Sequence, residues 1–191
     1  MTGNDEKLFE ELNIRLKDQR LSLTIICVGG YVLSRYGMRT TQDIDAFYEA
    51  TQKTDAIIYE VGDKYHANTD GELWLNNAVQ DMNPRPPESV CETIYDFSNL
   101  KVLTPPLDYI AGMKLFSGRG QDIEDVAAIL KELSIEDPER FRQTLAGYGF
   151  AAVDESLLLE AFGLAYGMEW LEQYYIEHEE DIINRTRGSS S

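Results

Sequence analysis

Val28-Gly29-Gly30-Tyr31-Val32-Leu33-Ser34-Arg35-Tyr36-Gly37, with Thr41-Gln42-Asp43-Ile44-Asp45 close behind it, is the stretch on which the reading of the fold turns. Upstream, Leu21 to Val28 is short and nearly all apolar, as in a strand buried on both faces. Gly29-Gly30 ends it, and Tyr31 to Tyr36 reads as a short helix stopped by Gly37. Glycines between a strand and a helix let backbone N–H groups come close to a phosphate, and the helix start adds positive potential. Asp43 to Tyr48 then alternates. As a strand it turns Asp43, Asp45 and Phe47 to one face and Ile44, Ala46 and Tyr48 to the other. Two carboxylates sharing a face can hold magnesium jointly, and magnesium stabilises phosphoryl transfer. Alone, Gly-Gly is most often a turn and Asp-x-Asp most often solvated surface. In this order, they pair a phosphate cradle with a metal site.

Outward from that stretch the pattern is α+β. Residues 5–18 have Leu8, Leu12 and Leu16 four apart and predict an amphipathic helix. Residues 55–65 predict another helix, and Leu73 to Val79 a short one. Prolines 84, 86 and 87 make Asp81 to Ser89 a loop. Val90–Phe97 and Leu100–Leu103 read as strands joined at Ser98-Asn99. Thr104-Pro105 has the form of a cap followed by proline at the first helical position, opening a helix to Phe116. Helices are predicted over Gln121–Leu133, from Asp137-Pro138 to Ala146, and from Asp154 to Ile176, the last interrupted in pattern by Gly163 and Gly167. A small mixed sheet flanked by helices, followed by a helical C-terminal subdomain, is the expected architecture. The expected domains are 1–135 and 136–186, with a disordered tail at 187–191.

Composition narrows the classes. With 191 residues, 43% hydrophobic and 27% charged, the chain is an ordinary globular protein in its proportions. No apolar run approaches a membrane span, and the first twenty residues lack a secretory or transit pattern, so a cytoplasmic protein without membrane contact is expected. Two cysteines, Cys27 and Cys91, with no CxxC and no nearby histidine, argue against a zinc site or disulfide scaffold. Lys and Arg total 17 against 34 Asp and Glu, a net charge of −17. Such a surface repels phosphate backbones, disfavours bulk nucleic acid and suits a basic protein partner. His66 and His178 stand alone, and Trp74 reads as a core anchor before a base-stacking platform.

The two motifs together resemble the signature of the nucleotidyltransferase (polymerase-beta-like) superfamily, and within it bacterial proteins related to the AbiEii-type toxins of toxin–antitoxin systems. Trp74-Leu75-Asn76-Asn77-Ala78-Val79 resembles a Trp-Leu-Asn motif of that subgroup. Leu103-Thr104-Pro105 through Ala111-Gly112-Met113-Lys114-Leu115 resembles its Met-Lys helix, and Arg119 to Val126 its acidic helix start. The likeness covers residues 20–135.

The resemblance implies that Gly29, Gly30 and Ser34 lie against a nucleoside triphosphate and that Asp43 and Asp45 bind Mg²⁺. Lys114 and Arg119 would reach the nucleotide. Asp122 and Asp125, a helical turn apart, would serve as metal or base groups, or hold Lys114 and Arg119 in place. The implied reaction is attack of an acceptor hydroxyl on the α-phosphate of an NTP, with release of pyrophosphate. Active members carry a third carboxylate on a later strand; the candidates here are Glu92 and Asp96, expected to share a face. The alternative is a degenerate, non-catalytic member acting as a nucleotide- or protein-binding module.

Overall fold

The computed structural model describes residues 5–188 apart from 70, 71 and 82. By internal contacts the chain divides into two compact units, Met1–Pro106 and Leu107–Ser191.

The first unit is built on a five-stranded mixed sheet. Its strands are β1 (Leu23–Cys27), β2 (Ile44–Phe47), β3 (Leu75–Asn76), β4 (Glu92–Asp96) and β5 (Leu100–Thr104), in the order β3-β2-β1-β5-β4. β1 runs parallel to β5 and β2 parallel to β3, while the β1–β2 and β4–β5 pairs are antiparallel. One face carries a large core cluster. Leu8, Phe9, Leu12 and Leu16 of α1 (Asp5–Asp18) and Ile57, Ile58 and Val61 of α3 (Gln52–Lys64) cluster with Leu23, Ile25, Ile44, Ala46 and Tyr48. The four-residue spacing of the α1 leucines is the stripe that this face requires. Phe47 is buried but stands outside the cluster, on the opposite face, as the alternation of β2 requires.

α2 (Gly29–Arg35) follows β1 directly, so the two glycines form its first turn instead of preceding it. α3 starts three residues ahead of the expected 55, behind a Thr51 cap that accepts from the Thr54 N–H while the Thr54 hydroxyl accepts from Thr51.

Two expectations for this unit fail. Leu73–Val79 is no helix: Leu75 and Asn76 pair with Ile44 and Asp45 as β3, and a 3-10 turn covers Ala78–Asp81. Nor do Thr104 and Pro105 cap a helix. Thr104 closes β5 opposite Glu92, and α4 starts at Leu107. Strand pairing takes the threonine before the helix can use it.

The second unit is helical: α4 (Leu107–Ser117), α5 (Gly120–Glu132), α6 (Pro138–Gly147), α7 (Glu155–Tyr166) and α8 (Met168–Gly188). Asp137 caps α6 with proline in its first turn, and Asp154 caps α7, as the sequence predicts. The long last helix is two. Gly167, at φ 102, separates α7 from α8, and a second break in helical geometry falls at His178. Arg187 and Gly188 close α8, and the rest of the expected tail lies outside the described residues. Among the described residues no helix is long and apolar enough to cross a membrane.

Candidate functional site

The first unit gathers the predicted glycines and aspartates at one end of its sheet. β1 finishes at Cys27, and the Val28 N–H donates to the Asp45 carbonyl at 2.8 Å, which holds the start of α2 beside the start of β2. Gly29 takes φ +61, a left-handed conformation in which glycine is the natural choice. A Cβ built there would stand 3.0 Å from Asp45 Oδ2, and one on Gly30 would stand 3.3 Å from the Thr41 side chain. The glycines therefore let the carboxylate lie against the backbone. α2 itself has only seven residues, so backbone approach matters here more than helix length.

The strand begins one residue later than the alternation of Asp43 to Tyr48 predicts: Asp45 lies on β2 between the core residues Ile44 and Ala46, while Asp43 sits in the bend just ahead of it. Both are half-buried. Asp43 is held at both oxygens by neutral donors. The Thr41 hydroxyl lies 3.2 Å from Oδ1 and 2.9 Å from the Asp43 carbonyl, and the Asn76 amide donates to Oδ2 at 3.1 Å. Asn76 arrives through Trp74, a fully buried anchor whose indole N–H donates to the Ile58 carbonyl at 2.9 Å. The Trp74 carbonyl accepts from Ile44, fixing β3 against β2 and placing Asn76 in register with Asp45. The Trp-Leu-Asn motif is thus a core anchor that delivers a polar side chain. Sequence reasoning misses both: Asn76 because only the pairing of β3 with β2 reveals its target, and Thr41 although its target lies two residues on in the same segment.

Ser34 is on α2, where its hydroxyl donates to the Tyr31 carbonyl at 2.7 Å. Below it, the Tyr31 hydroxyl donates to Asp5 at 2.9 Å, and burial above all pushes this phenol well above its ordinary range. Burial likewise raises the Cys27 thiol strongly and the Cys91 thiol to about 11, so neither is a ready thiolate at neutral pH.

The two candidates for a third carboxylate do not join Asp43 and Asp45. β4 lies three strands away from β2, roughly 14 Å at the usual strand spacing. They do not share a face either. Glu92 pairs with Thr104 and Asp96 with Lys101, an odd separation along β5 produced by a bulge between Thr93 and Tyr95. Paired residues point the same way, so the bulge turns Glu92 and Asp96 to opposite faces. Among the described residues no group of three or more His, Cys, Asp or Glu side chains is placed to hold a metal ion.

The second unit holds the other predicted residues. Lys114, on α4, is buried, and its Nζ lies 2.7 Å from both Asp122 Oδ1 and Asp125 Oδ2 of α5. Ser117 completes the cluster by donating to Asp122 Oδ2 at 2.8 Å. Of the roles considered for the two acids, holding Lys114 is the one this geometry displays. Arg119 is exposed at the N-terminal boundary of α5, with its carbonyl accepting from the Asp122 N–H.

Against this geometry stands one family match: residues 6–144 match a nucleotidyltransferase family of unknown function (DUF6036), well over half of the chain. The chain belongs to that family. Its match includes Gly29, Gly30, Asp43, Asp45 and Asn76 of the first unit and Lys114, Asp122 and Asp125 of the second. No curated protein and no solved structure matches the chain. DUF6036 membership bears out the nucleotidyltransferase resemblance at the level of the family, while the likeness to AbiEii-type proteins belongs to the sequence reading alone.

Proposed function

We propose that this DUF6036 protein is a Mg²⁺-dependent nucleotidyltransferase that moves a nucleoside monophosphate from an NTP to a hydroxyl acceptor. The observation that carries the reading is the Asp43–Asp45 pair, with one carboxylate against the Gly29 backbone and the other braced by neutral donors. The donor set fits the ion. Magnesium prefers oxygen ligands and is commonly bound through one or two carboxylates, with water and substrate phosphates completing its shell. When bound there, it neutralises charge on the transferring phosphoryl group.

The chain's own residues supply the rest. Gly29 and Gly30 leave room for the triphosphate to approach the backbone. The acceptor oxygen bonds to the α-phosphorus, the bond to the bridging oxygen breaks, and pyrophosphate leaves. The hydroxyl proton passes to a carboxylate of the pair. A net charge of −17 favours a protein or small-molecule acceptor over a large RNA. Lys114 is taken up by two carboxylates, so its first role in this reading is to join α4 to α5.

One observation favours a second reading, a non-catalytic nucleotide- or protein-binding module: Glu92 and Asp96 are turned to opposite faces on a remote strand. In that case the acidic surface would receive a basic partner, as in a toxin–antitoxin pair.

Thermal-shift titrations with ATP, GTP, CTP and UTP, with and without Mg²⁺, separate the readings. A ligand that binds the folded state alone raises the melting temperature. The expected result is a Mg²⁺-dependent shift with at least one nucleotide, abolished in Asp43→Asn/Asp45→Asn, and loss of transfer in Asp45→Asn with the fold intact. Transfer that survives Asp45→Asn overturns the catalytic reading.

A further inference from the structure

We propose that the outer face of α8 is a docking surface for a basic amphipathic helix of a partner protein. The inference concerns the second unit alone and does not rest on the cation reading of the first. α8 is 21 residues long and is anchored along one side. Trp170 stacks on Phe162 of α7 and on Tyr174, with ring centroids 5.5 and 5.3 Å apart. A Cβ on Gly163 of α7 would stand 2.9 Å from Leu171, and Arg185 Nε lies 3.3 Å from Glu155 Oε1. From Leu171 the inner positions Tyr174, His178, Ile182 and Arg185 follow at three- and four-residue steps, so this face runs on through the break at His178.

The other side is not that of a solvated helix, which would be polar throughout. Met168 is 64% exposed, Tyr175 41%, Ile176 75% and Ile183 40%. Glu172 and Glu179 are exposed between them, so the face reads apolar, acid, apolar pair, acid, apolar at steps of three or four. Among the described residues neither glutamate has an ion-pair partner. Exposed apolar side chains gathered on one face mark an interaction site, and the charges decide the occupant. Two copies of α8 set antiparallel about Tyr175 and Ile176 bring Glu172 against Glu179; set parallel, they bring each glutamate against itself. Like charges across an interface are strongly disfavoured. An anionic lipid surface meets the same repulsion. A helix that interleaves apolar residues with Lys or Arg at the same steps covers the apolar positions and sets a cation against each glutamate.

Fluorescence anisotropy of a labelled synthetic helix, with leucines on one face and lysines beside them, titrated with the full chain, tests this. The wild type is expected to bind it, and not to bind the same helix with glutamates in place of the lysines. Ile176→Ser changes only an exposed side chain, so the melting temperature should hold while affinity falls roughly tenfold. Glu172→Gln/Glu179→Gln should weaken binding and flatten its salt dependence. Glu92→Gln/Asp96→Asn, which removes the same charge from the first unit, should leave binding unchanged. Equal loss in the two double variants would mean attraction to net charge alone and would overturn the proposal, as would wild-type affinity in Ile176→Ser. A dimer in sedimentation equilibrium that Ile176→Ser dissolves would give the face to a second copy. Binding to phosphatidylcholine vesicles that the same variant abolishes would give it to lipid, and either result overturns the proposal. The nucleotide titrations described above read the first unit, so each proposal can fail without the other.

Discussion

Two pairs of aspartates, each legible in the sequence as chemistry, are treated in opposite ways. Asp43 and Asp45 lie two residues apart at the start of β2, Asp43 just ahead of the strand and Asp45 on it; Asp122 and Asp125 lie three apart on a helix. The helical spacing puts its pair on one face. The helical pair closes on Lys114 at 2.7 Å from each acid, with a serine hydroxyl added. Just ahead of β2, Asp43 instead takes a threonine hydroxyl and an asparagine amide, which orient it without cancelling its charge. A carboxylate pair bound to an internal cation is an ion cluster that holds helices together. Asp43, oriented by a hydroxyl and an amide, keeps its own charge in place. Which donors a fold brings to a pair, more than the pair itself, separates framework from site.

The largest effect that could break this contrast is on stability. Lys114→Met leaves two acids beside each other in a buried setting, and should cost about 3–5 kcal/mol, read from urea unfolding. Adding Asp122→Asn and Asp125→Asn should recover much of the loss, since removing a whole buried cluster is cheaper than removing one partner. If Lys114→Met unfolds like the wild type, the helical pair is no framework. Gly29→Ala comes next. A left-handed backbone costs a side-chain-bearing residue about 1–2 kcal/mol, and the new Cβ, 3.0 Å from Asp45 Oδ2, must displace the carboxylate. Urea unfolding should show the first effect and Mn²⁺ titration a further loss of affinity. Unchanged Mn²⁺ affinity would detach the glycine from the site. The smallest effect belongs to Glu92→Gln and Asp96→Asn. Both residues are exposed on a distant strand, so stability should stay within about 0.5 kcal/mol of wild type. Mn²⁺ affinity should not move; a loss in either variant would return that acid to the metal site.

The features readable in the sequence are those set by local periodicity. The leucine spacing of α1 and the alternation after Asp43 are written in single segments; the structure keeps the first whole and the second as a strand over Ile44–Phe47. Asp137 and Asp154 cap their helices because the bonds involved span only two or three residues. What was hidden depends on partners far along the chain. Leu75 and Asn76 form a strand only because Ile44 and Asp45 are there to pair with them. Thr104 looks like a cap until β4 and β5 claim it. Asn76 carries no local sign of its role, since its target lies 33 residues earlier. The bulge between Thr93 and Tyr95 is equally silent, yet it reverses the face of one of the two acids considered as metal ligands.

That same bulge bears on how the molecule behaves in a crowded solution. β4 is an outer strand of the sheet, and an outer strand offers unpaired backbone groups to any extended chain that meets it. With regular alternation, Glu92 and Asp96 would guard one side only. The extra residue gives each side its own carboxylate and twists the ladder between them. An incoming strand then meets negative charge whichever face it presents, so the bulge helps keep this edge from seeding aggregates.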